Sequence, residues 1–188
     1  MPIRSFIAVE IADDIRARLA EAQDALRAAG GDVRWSKPEN LHVTLKFLGE
    51  ISEANVGAAC TIVEQVATAH SAFGIQLAGL GAFPSARRPR VVFAELIDAS
   101  QTLFEMAREL DKAMAEIGVE RERKPFRSHL TLGRVKSPRG LAELTQAMSQ
   151  RAQTQFGSQT VSRIVLMRSD LKPSGAVYSR VGAGQLAP

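Results

Sequence analysis

Cysteine, histidine and aromatic residues are all scarce in this chain of 188 residues. The single cysteine, Cys60, cannot close a disulfide within the chain and excludes zinc sites built from clustered cysteines. No stretch approaches the roughly 18 uncharged apolar residues of a membrane-spanning helix. The apolar run 6–9 is followed at once by acidic residues, so no signal peptide fits. We therefore expect a soluble, cytoplasmic protein with no membrane attachment.

The bulk composition is that of an ordinary globular protein, with 45% hydrophobic and 23% charged residues. The length suits one folded unit, and we expect residues 1–188 to form a single domain that acts as a monomer. Lysine and arginine exceed aspartate and glutamate by 24 to 20, which favours anionic partners without proving one.

Hydrophobic periodicity predicts strands and helices intermixed along the chain. Predicted strands cover 3–11, 33–49 with a break near Pro38, 74–80, 90–96, 126–135, 161–167 and 176–181, and predicted helices start near Asp13, Ser52, Ser100 and Leu141. Ser52 and Ser100 are the expected N-caps of the second and third helices. Several connections are too short for a helical crossover, which favours an α+β fold over a doubly wound parallel sheet.

A short repeat organises the sequence. His42-Val43-Thr44-Leu45 recurs 87 residues later as His129-Leu130-Thr131-Leu132. One such tetrad would more often be structural, but two copies in a chain with only three histidines argue against coincidence. Because the spacing is close to half the chain, we expect two similar lobes of about ninety residues each that face each other.

Each tetrad lies on a predicted strand, where alternate side chains share a face. His42 and Thr44 then project together, and Phe47 projects with Val43 and Leu45 to the opposite, apolar face. His129 and Thr131 repeat this arrangement. Two imidazoles can divide into a general acid and a general base, and hydroxyls can hold phosphate oxygens. The pattern predicts in-line displacement at phosphorus without a metal or other cofactor.

The stretches 34–49 and 128–135, together with 4–8, 166–171 and 175–178, resemble the two-histidine phosphoesterase superfamily. Within it the chain is most similar to the RNA 2′,3′-cyclic phosphodiesterases, also called the 2′-5′ RNA ligase family. The resemblance implies a bilobal α+β fold with two pseudo-symmetric lobes, each with an antiparallel sheet and helices, and a cleft between them. It also implies hydrolysis of RNA 2′,3′-cyclic phosphate ends to 2′-phosphomonoesters.

The family pattern assigns roles to five residues of this chain. His42 is the proton donor to the leaving O3′ and His129 the acceptor that activates water, although the sequence alone does not set that polarity. Thr44 and Thr131 hold the non-bridging oxygens, and Arg134 binds the phosphate. Strict strand alternation puts Arg134 on the face opposite His129, a conflict that a bulge at Gly133 would relieve.

Other readings stay open at this stage. The same site run backwards would be a reversible 2′-5′ RNA ligase, and a protein without turnover would be a binding module for RNA ends or nucleotide phosphates. The expected partner is RNA with 2′,3′-cyclic phosphate ends, with tRNA fragments and small cyclic nucleotides as the open possibilities. Trp35 either stacks on a base or belongs to the core, and we expect His70 to be structural or to cap a helix. Basic residues near the second tetrad form either a track for RNA or a solvated surface: Arg121, Arg123, Lys124, Arg127, Lys136 and Arg139.

Overall fold

Strands and helices alternate irregularly in the computed structural model, which describes residues 2–173 and 175–188. In chain order the described elements are β1 (Ile3–Glu10), α1 (Asp13–Ala29), β2 (Val33–Trp35), a single 3₁₀ turn (Pro38–Asn40), β3 (His42–Ile51), α2 (Glu53–Thr68), β4 (Phe73–Phe83), β5 (Val91–Ile97), α3 (Thr102–Ala115), β6 (His129–Val135), α4 (Leu141–Ser149), β7 (Gln155–Val161), β8 (Arg163–Lys172) and β9 (Gly175–Gln185). The sequence pattern does not predict strand β7.

The strands form two sheets, which we call sheet A and sheet B. Sheet A has the order β3-β1-β8-β9, and sheet B has the order β2-β6-β5-β4-β7. Every pairing between these strands is antiparallel. The predicted bilobal α+β architecture is thereby confirmed, with one histidine tetrad in each sheet.

The lobes are not the two halves of the chain, contrary to expectation. Sheet A takes β8 and β9 from the C-terminal end, whereas β4 from the first half lies in sheet B. Because β4 pairs antiparallel with β5 and β8 with β9, each of these pairs enters one sheet as a unit. The two tetrads nevertheless occupy comparable places, since β3 pairs with the inner strand β1 of sheet A and β6 pairs with the inner strand β5 of sheet B.

Helices cover one face of each sheet and leave the other face open. Helices α2 and α3 pack beside sheet A, and α1 and α4 pack beside sheet B. The predicted apolar stripes of α1 and α3 are buried, among them Leu19 and Met106. One apolar cluster runs through both lobes and includes Ile7 of β1 and Leu130 of β6. Removal of this apolar surface from water is the main force that holds the lobes together.

The helix caps agree with expectation at α2 and differ at α3. The Ser52 hydroxyl accepts a hydrogen bond from the Asn55 N–H at 3.2 Å. At α3 the N-cap residue is Gln101 with a left-handed backbone, and Ser100 precedes it. The Asp98 carboxylate accepts from the Leu103 N–H at 2.8 Å, so the acidic side chain supplies the main cap.

Candidate active site

The fold brings the two tetrads together. Strand β3 carries His42 and Thr44 in sheet A, strand β6 carries His129 and Thr131 in sheet B, and the two strands contact each other. A cavity of about 470 Å³ is lined by both threonines, by His129 and by Arg134. One lobe therefore contributes Thr44 to the cavity, and the other contributes His129 and Thr131. His42 is not part of the cavity wall and lies behind Thr44, with its Nε2 3.0 Å from the Thr44 hydroxyl.

Each tetrad strand contains a bulge directly after its threonine. On β3, Thr44 pairs with Ala8 and Lys46 pairs with Ile7, so Leu45 is left without a partner. On β6, Thr131 pairs with Phe93 and Gly133 with Val92, which leaves Leu132 unpaired. An extra residue in one strand shifts the alternation of all later side chains to the other face.

The two bulges decide which side chains enter the cleft. Arg134 lies on the same face as His129 and Thr131, so the bulge resolves the conflict seen in the sequence. Phe47, which occupies the equivalent place on β3, also turns into the cleft and is 54% exposed. Its predicted position on the apolar face is therefore wrong. Lys46 turns the other way and is buried.

Gly133 has a different function from the one expected. The bulged residue is its neighbour Leu132, and a side chain at Gly133 would collide with Val33 and Trp35 across the β2–β6 pair. Trp35 therefore packs over a glycine against the core. Of the two readings left open for Trp35, the structure supports the core.

The two imidazoles are oriented in the same way. His42 Nδ1 lies 2.7 Å from the Asn40 carbonyl oxygen, and His129 Nδ1 lies 2.7 Å from the Arg127 carbonyl oxygen. A carbonyl only accepts, so each Nδ1 carries a hydrogen and each Nε2 is available for proton transfer. In neutral His42 this Nε2 accepts from the Thr44 hydroxyl at 3.0 Å.

Aromatic rings hold each imidazole in place. The His42 ring stacks on Phe6 with centroids 4.6 Å apart and meets the edge of Tyr178 at 5.4 Å. The His129 ring contacts Phe83 at 5.0 Å and Phe93 at 5.5 Å. Phe6 and Phe93 are separated by the same 87 residues as the histidines. Extension of the repeat to β1 and β5 would have found this pair in the sequence.

Burial affects the protonation of His42. Its removal from water lowers its pKa, and the hydrogen bond to the Asn40 carbonyl opposes this only in part. His42 is thus biased toward its neutral form in the free protein.

Comparison with known proteins agrees with this geometry. The model of the LigT-like phosphoesterases matches residues 9–93 and 97–178. The chain belongs to the LigT-like phosphoesterase family. A curated relative from Methanothermobacter thermautotrophicus, named RNA 2′,3′-cyclic phosphodiesterase, is 34% identical over 179 residues, which cover 95% of this chain and 96% of the relative. A relative of the same name from Aeropyrum pernix is 35% identical over 86% of this chain and 90% of its own.

Solved structures share the fold of this phosphoesterase. A crystal structure from Thermus thermophilus matches with a TM-score of 0.82 and 30% identity over 98% of both chains. E. coli LigT, crystallised in complex with 3′-AMP, matches with a TM-score of 0.79 over the full length of both chains. Its identity of 22% shows the common fold alone.

Away from the histidines, the cavity of the phosphoesterase combines aromatic and cationic walls. Three phenylalanines line it: Phe47 on β3, Phe104 on α3 and Phe126 before β6. Besides Arg134 and the buried Lys46, four further cations line it, namely Arg108, Arg123, Lys124 and Arg127. Sequence reasoning missed the contribution of α3 because Phe104 and Arg108 are far from both tetrads in the chain.

The six basic residues predicted around the second tetrad divide into separate groups. Arg123, Lys124 and Arg127 line the cavity. Arg121 instead donates to Asp111 at 2.7 Å, so its charge is already paired. Lys136 and Arg139 lie beyond Arg134 and are absent from the cavity wall.

A buried ion pair supports the loop that leads into β6. Lys46 Nζ lies 2.8 Å from Asp111 Oδ1 and donates to the Glu120 carbonyl oxygen at 2.7 Å. Burial would raise the pKa of Asp111, but hydrogen bonds from Lys46, the Glu122 N–H and Arg121 outweigh it and lower that pKa to about 2. The pair joins β3 and α3 to the segment that carries the cationic wall.

His70 stands apart from the cleft. It joins the end of α2 to α3 through a contact of 3.0 Å between its Nε2 and Glu109 Oε2, as its predicted structural role requires. Across residues 2–173 and 175–188, no three side chains of His, Cys, Asp or Glu are grouped as a metal site. The described helices include none that is long and apolar enough to cross a membrane.

Proposed function

We propose that this protein hydrolyses the 2′,3′-cyclic phosphate end of RNA to a 2′-phosphomonoester. The observation that carries the proposal is the pair of matched imidazoles, each held through its Nδ1 so that its Nε2 can transfer a proton, at a cavity lined by His129, two threonines and Arg134. The names of the curated relatives support RNA as the substrate class.

The proposed reaction uses one imidazole on each side of the phosphorus. Water attacks phosphorus and gives its proton to His129 Nε2, the P–O3′ bond breaks, and O3′ takes a proton from His42 Nε2. The hydroxyls of Thr44 and Thr131 donate to the non-bridging oxygens, and Arg134 stabilises the charge that develops on them. Both proton transfers are made by side chains of the chain itself.

The polarity follows the family pattern, and the environment of His42 adds a condition to it. The buried imidazole has a lowered pKa, so it is mostly neutral in the free protein at pH 7. A bound cyclic phosphate brings a negative charge beside it and raises its pKa, because an adjacent opposite charge favours imidazolium. His42 would thus acquire the proton that it donates when substrate binds.

The aromatic wall suits the terminal nucleobase. Phe47 is 54% exposed and Phe104 41%, and both line the cavity that contains the threonines. Stacking on aromatic rings contributes about 1–3 kcal/mol per base and tolerates every base. We therefore expect broad base preference and recognition mainly through phosphate and ring stacking.

The decisive assay uses a synthetic RNA oligonucleotide with a 2′,3′-cyclic phosphate end, incubated in the presence of a chelator. The wild-type protein should release a 2′-phosphomonoester, identified by its mobility and by its resistance to an enzyme specific for 3′-phosphates. His42→Ala and His129→Ala should each lower kcat by about 10²-fold or more. His70→Ala is the matched control, because it removes a histidine outside the cleft and should keep full activity.

Several results would reject the proposal. Full activity in either His42→Ala or His129→Ala would rule out the two-histidine mechanism. A 3′-phosphate product would show that the P–O2′ bond breaks in place of the P–O3′ bond. Formation of a 2′-5′ linkage on addition of RNA with a 5′-hydroxyl, in excess over hydrolysis, would favour the ligase. Tight binding of the RNA without turnover would leave only a binding module.

A further inference from the structure

A second group of cations lies next to Arg134 and outside the set that lines the cavity. Arg34 on β2 pairs directly with Arg134 on β6, so the two side chains lie on the same face of sheet B. Arg4 on β1 is two residues from Phe6 and shares its face of sheet A, toward the cleft. We refer to Arg4 and Arg34 as the outer arginine pair.

Tyr178 lies within electrostatic reach of the outer arginine pair and of Arg134. Burial raises the pKa of the Tyr178 hydroxyl, and the positive charges of Arg4, Arg134 and Arg34 all oppose that rise. Arg4 lies on sheet A, whereas Arg34 and Arg134 are paired with each other on sheet B. The Tyr178 ring in turn contacts the His42 ring at 5.4 Å, so the group borders the reaction site.

These arginines lack the acidic partners that arginines elsewhere on the same face possess. Arg163 and Arg180 each contact the Glu10 carboxylate at 2.8 Å. In the described part of the chain, no carboxylate forms an ion pair with either member of the outer arginine pair or with Arg134. Like charges placed directly opposite each other on paired strands are destabilising, and Arg34 and Arg134 are such a pair. An anion bound between them would relieve this repulsion.

We propose that the outer arginine pair is a second phosphate subsite, which holds the phosphodiester on the 5′ side of the terminal nucleotide. The inference rests on the proposed function, because it places the reacting phosphate between the histidines and Arg134. Adjacent strands lie about 4.8 Å apart, so Arg34 continues the row from Arg134 by a step comparable with the spacing of neighbouring phosphates on an extended strand. The Tyr178 hydroxyl adds an uncharged donor.

With this subsite the protein recognises the charge of the RNA chain in addition to its cyclic phosphate end. A free nucleoside 2′,3′-cyclic phosphate carries only the reacting phosphate and leaves the outer arginine pair empty. A dinucleotide with the same end carries one more phosphate and fills it. Charge-assisted hydrogen bonds to phosphate are the strong ones among protein hydrogen bonds, and we expect a preference on the order of tenfold in kcat/KM.

The test compares two dinucleotides that differ in one charge. Both are adenylyl-adenosine with a 2′,3′-cyclic phosphate end, and the internal linkage is a phosphodiester in one and a neutral methylphosphonate in the other. Wild type should prefer the phosphodiester about tenfold, and the double variant Arg4→Gln/Arg34→Gln should treat the two equally. Its kcat/KM on adenosine 2′,3′-cyclic phosphate should be unchanged. Arg27→Gln, which removes a charge from an exposed ion pair on α1, should keep the preference.

Two further measurements show which kind of phosphate the subsite accepts and whether the preference is electrostatic. If adenosine 2′,3′-cyclic phosphate gains as much from an added 5′-phosphate as from a phosphodiester, the subsite accepts any phosphate at that position; if it gains nothing, the subsite reads the RNA chain. For the dinucleotide, the slope of log(kcat/KM) against log salt should become shallower by about 0.7 for each phosphate that the variant no longer binds.

The inference is overturned if wild type does not distinguish the two linkages, or if the double variant keeps the wild-type preference. An equal loss on all substrates would also overturn it, since the arginines would then act on the reacting phosphate or on the fold. Calorimetry with the two dinucleotides carrying a 3′-phosphomonoester in place of the cyclic end measures the same preference without turnover. A preserved binding preference in a protein that hydrolyses no cyclic phosphate would reject the proposed function and keep the subsite.

Discussion

Gln23 on α1 donates from its Nε2 to the carbonyl oxygen of Leu132, the bulged residue of β6, at 2.8 Å. The same nitrogen donates to the Ser36 carbonyl at 2.9 Å, and the Ser36 N–H donates to Leu132 at 2.8 Å. Gln23 is 1% exposed. A buried amide therefore fixes the bulge that turns Arg134 into the cleft.

Replacement of Gln23 by Met keeps the length of the side chain and removes the donor. The partly buried Ser36 carbonyl and the buried Leu132 carbonyl then lose their side-chain partner, and we expect a loss of about 1–3 kcal/mol of stability by urea denaturation. We also expect a lower kcat/KM, because the bulge no longer holds Arg134 in register.

A double-mutant cycle separates this positioning role from a general loss of stability. If Gln23 acts through Arg134, the Gln23→Met change should reduce kcat/KM in the wild type and have little further effect in Arg134→Gln. Additive losses in kcat/KM would show that Gln23 affects the site by another route.

The bulges also mark the limit of what the sequence predicts. The repeat at 42 and 129 is enough to expect a two-lobed fold and a shared cleft, because side chains two apart on a strand share a face. Beyond each threonine the same rule fails. It places Phe47 in the core and Arg134 outside the cleft, and one unpaired residue on each strand reverses both.

Tertiary connections account for the other differences. The assignment of strands to sheets depends on which hairpins close, so β4 and β8 exchange lobes relative to the halves of the chain. The contribution of Phe104 and Arg108 depends on the packing of α3 against the edge of sheet A, which no local pattern contains.

The pH dependence of the reaction should reveal the substrate-dependent protonation of His42. As the proposed acid, His42 must be protonated, so activity falls as pH rises through its pKa. Burial lowers that pKa in the free protein, so the alkaline limb of kcat/KM should lie below pH 6.5. The anionic substrate raises it, so the alkaline limb of kcat should lie at higher pH. Alkaline limbs in the opposite order would contradict this account.

A change of leaving group tests which histidine is the acid. A phosphodiester that releases nitrophenolate needs no proton on the departing oxygen. His42→Ala should therefore recover much of its lost activity on this compound relative to wild type, while His129→Ala should not. Recovery in His129→Ala alone would exchange the two roles.

Phe47 provides a test of the aromatic wall. Phe47→Ala should raise KM for a cyclic-phosphate oligonucleotide by about five- to 150-fold, which corresponds to the loss of one base stack, with a smaller effect on kcat. Phe47→Trp should retain the stack and keep KM near the wild-type value. Its side chain is 54% exposed, so neither change should lower the melting temperature strongly. A loss confined to kcat would place Phe47 in the reaction itself.

The Lys46–Asp111 pair should make stability depend on acid pH. The Asp111 pKa of about 2 lies below the ordinary value of 3.8, and each unit corresponds to about 1.4 kcal/mol. The carboxylate thus contributes roughly 2 kcal/mol of stability that is fully present above pH 4 and is lost as pH falls toward 2. Urea denaturation between pH 2 and 7 measures this slope. Asp24→Asn, which removes an exposed partner of Arg27, should leave the slope nearly unchanged.

Removal of one member of the pair should be worse than removal of both. Asp111→Asn leaves the Lys46 ammonium buried beside Glu120 with only the half-exposed Glu122 carboxylate 3.7 Å away, and a broken buried pair costs about 3–5 kcal/mol. Lys46→Met/Asp111→Leu leaves no buried charge and should recover part of that loss. Lys46 also donates a hydrogen bond to the Glu120 carbonyl. The double variant removes this anchor of the segment 123–127, which carries the cationic wall, so the recovered stability should not restore activity fully. Equal stability of the single and double variants would show that the Lys46 ammonium reaches water in Asp111→Asn and is not left buried.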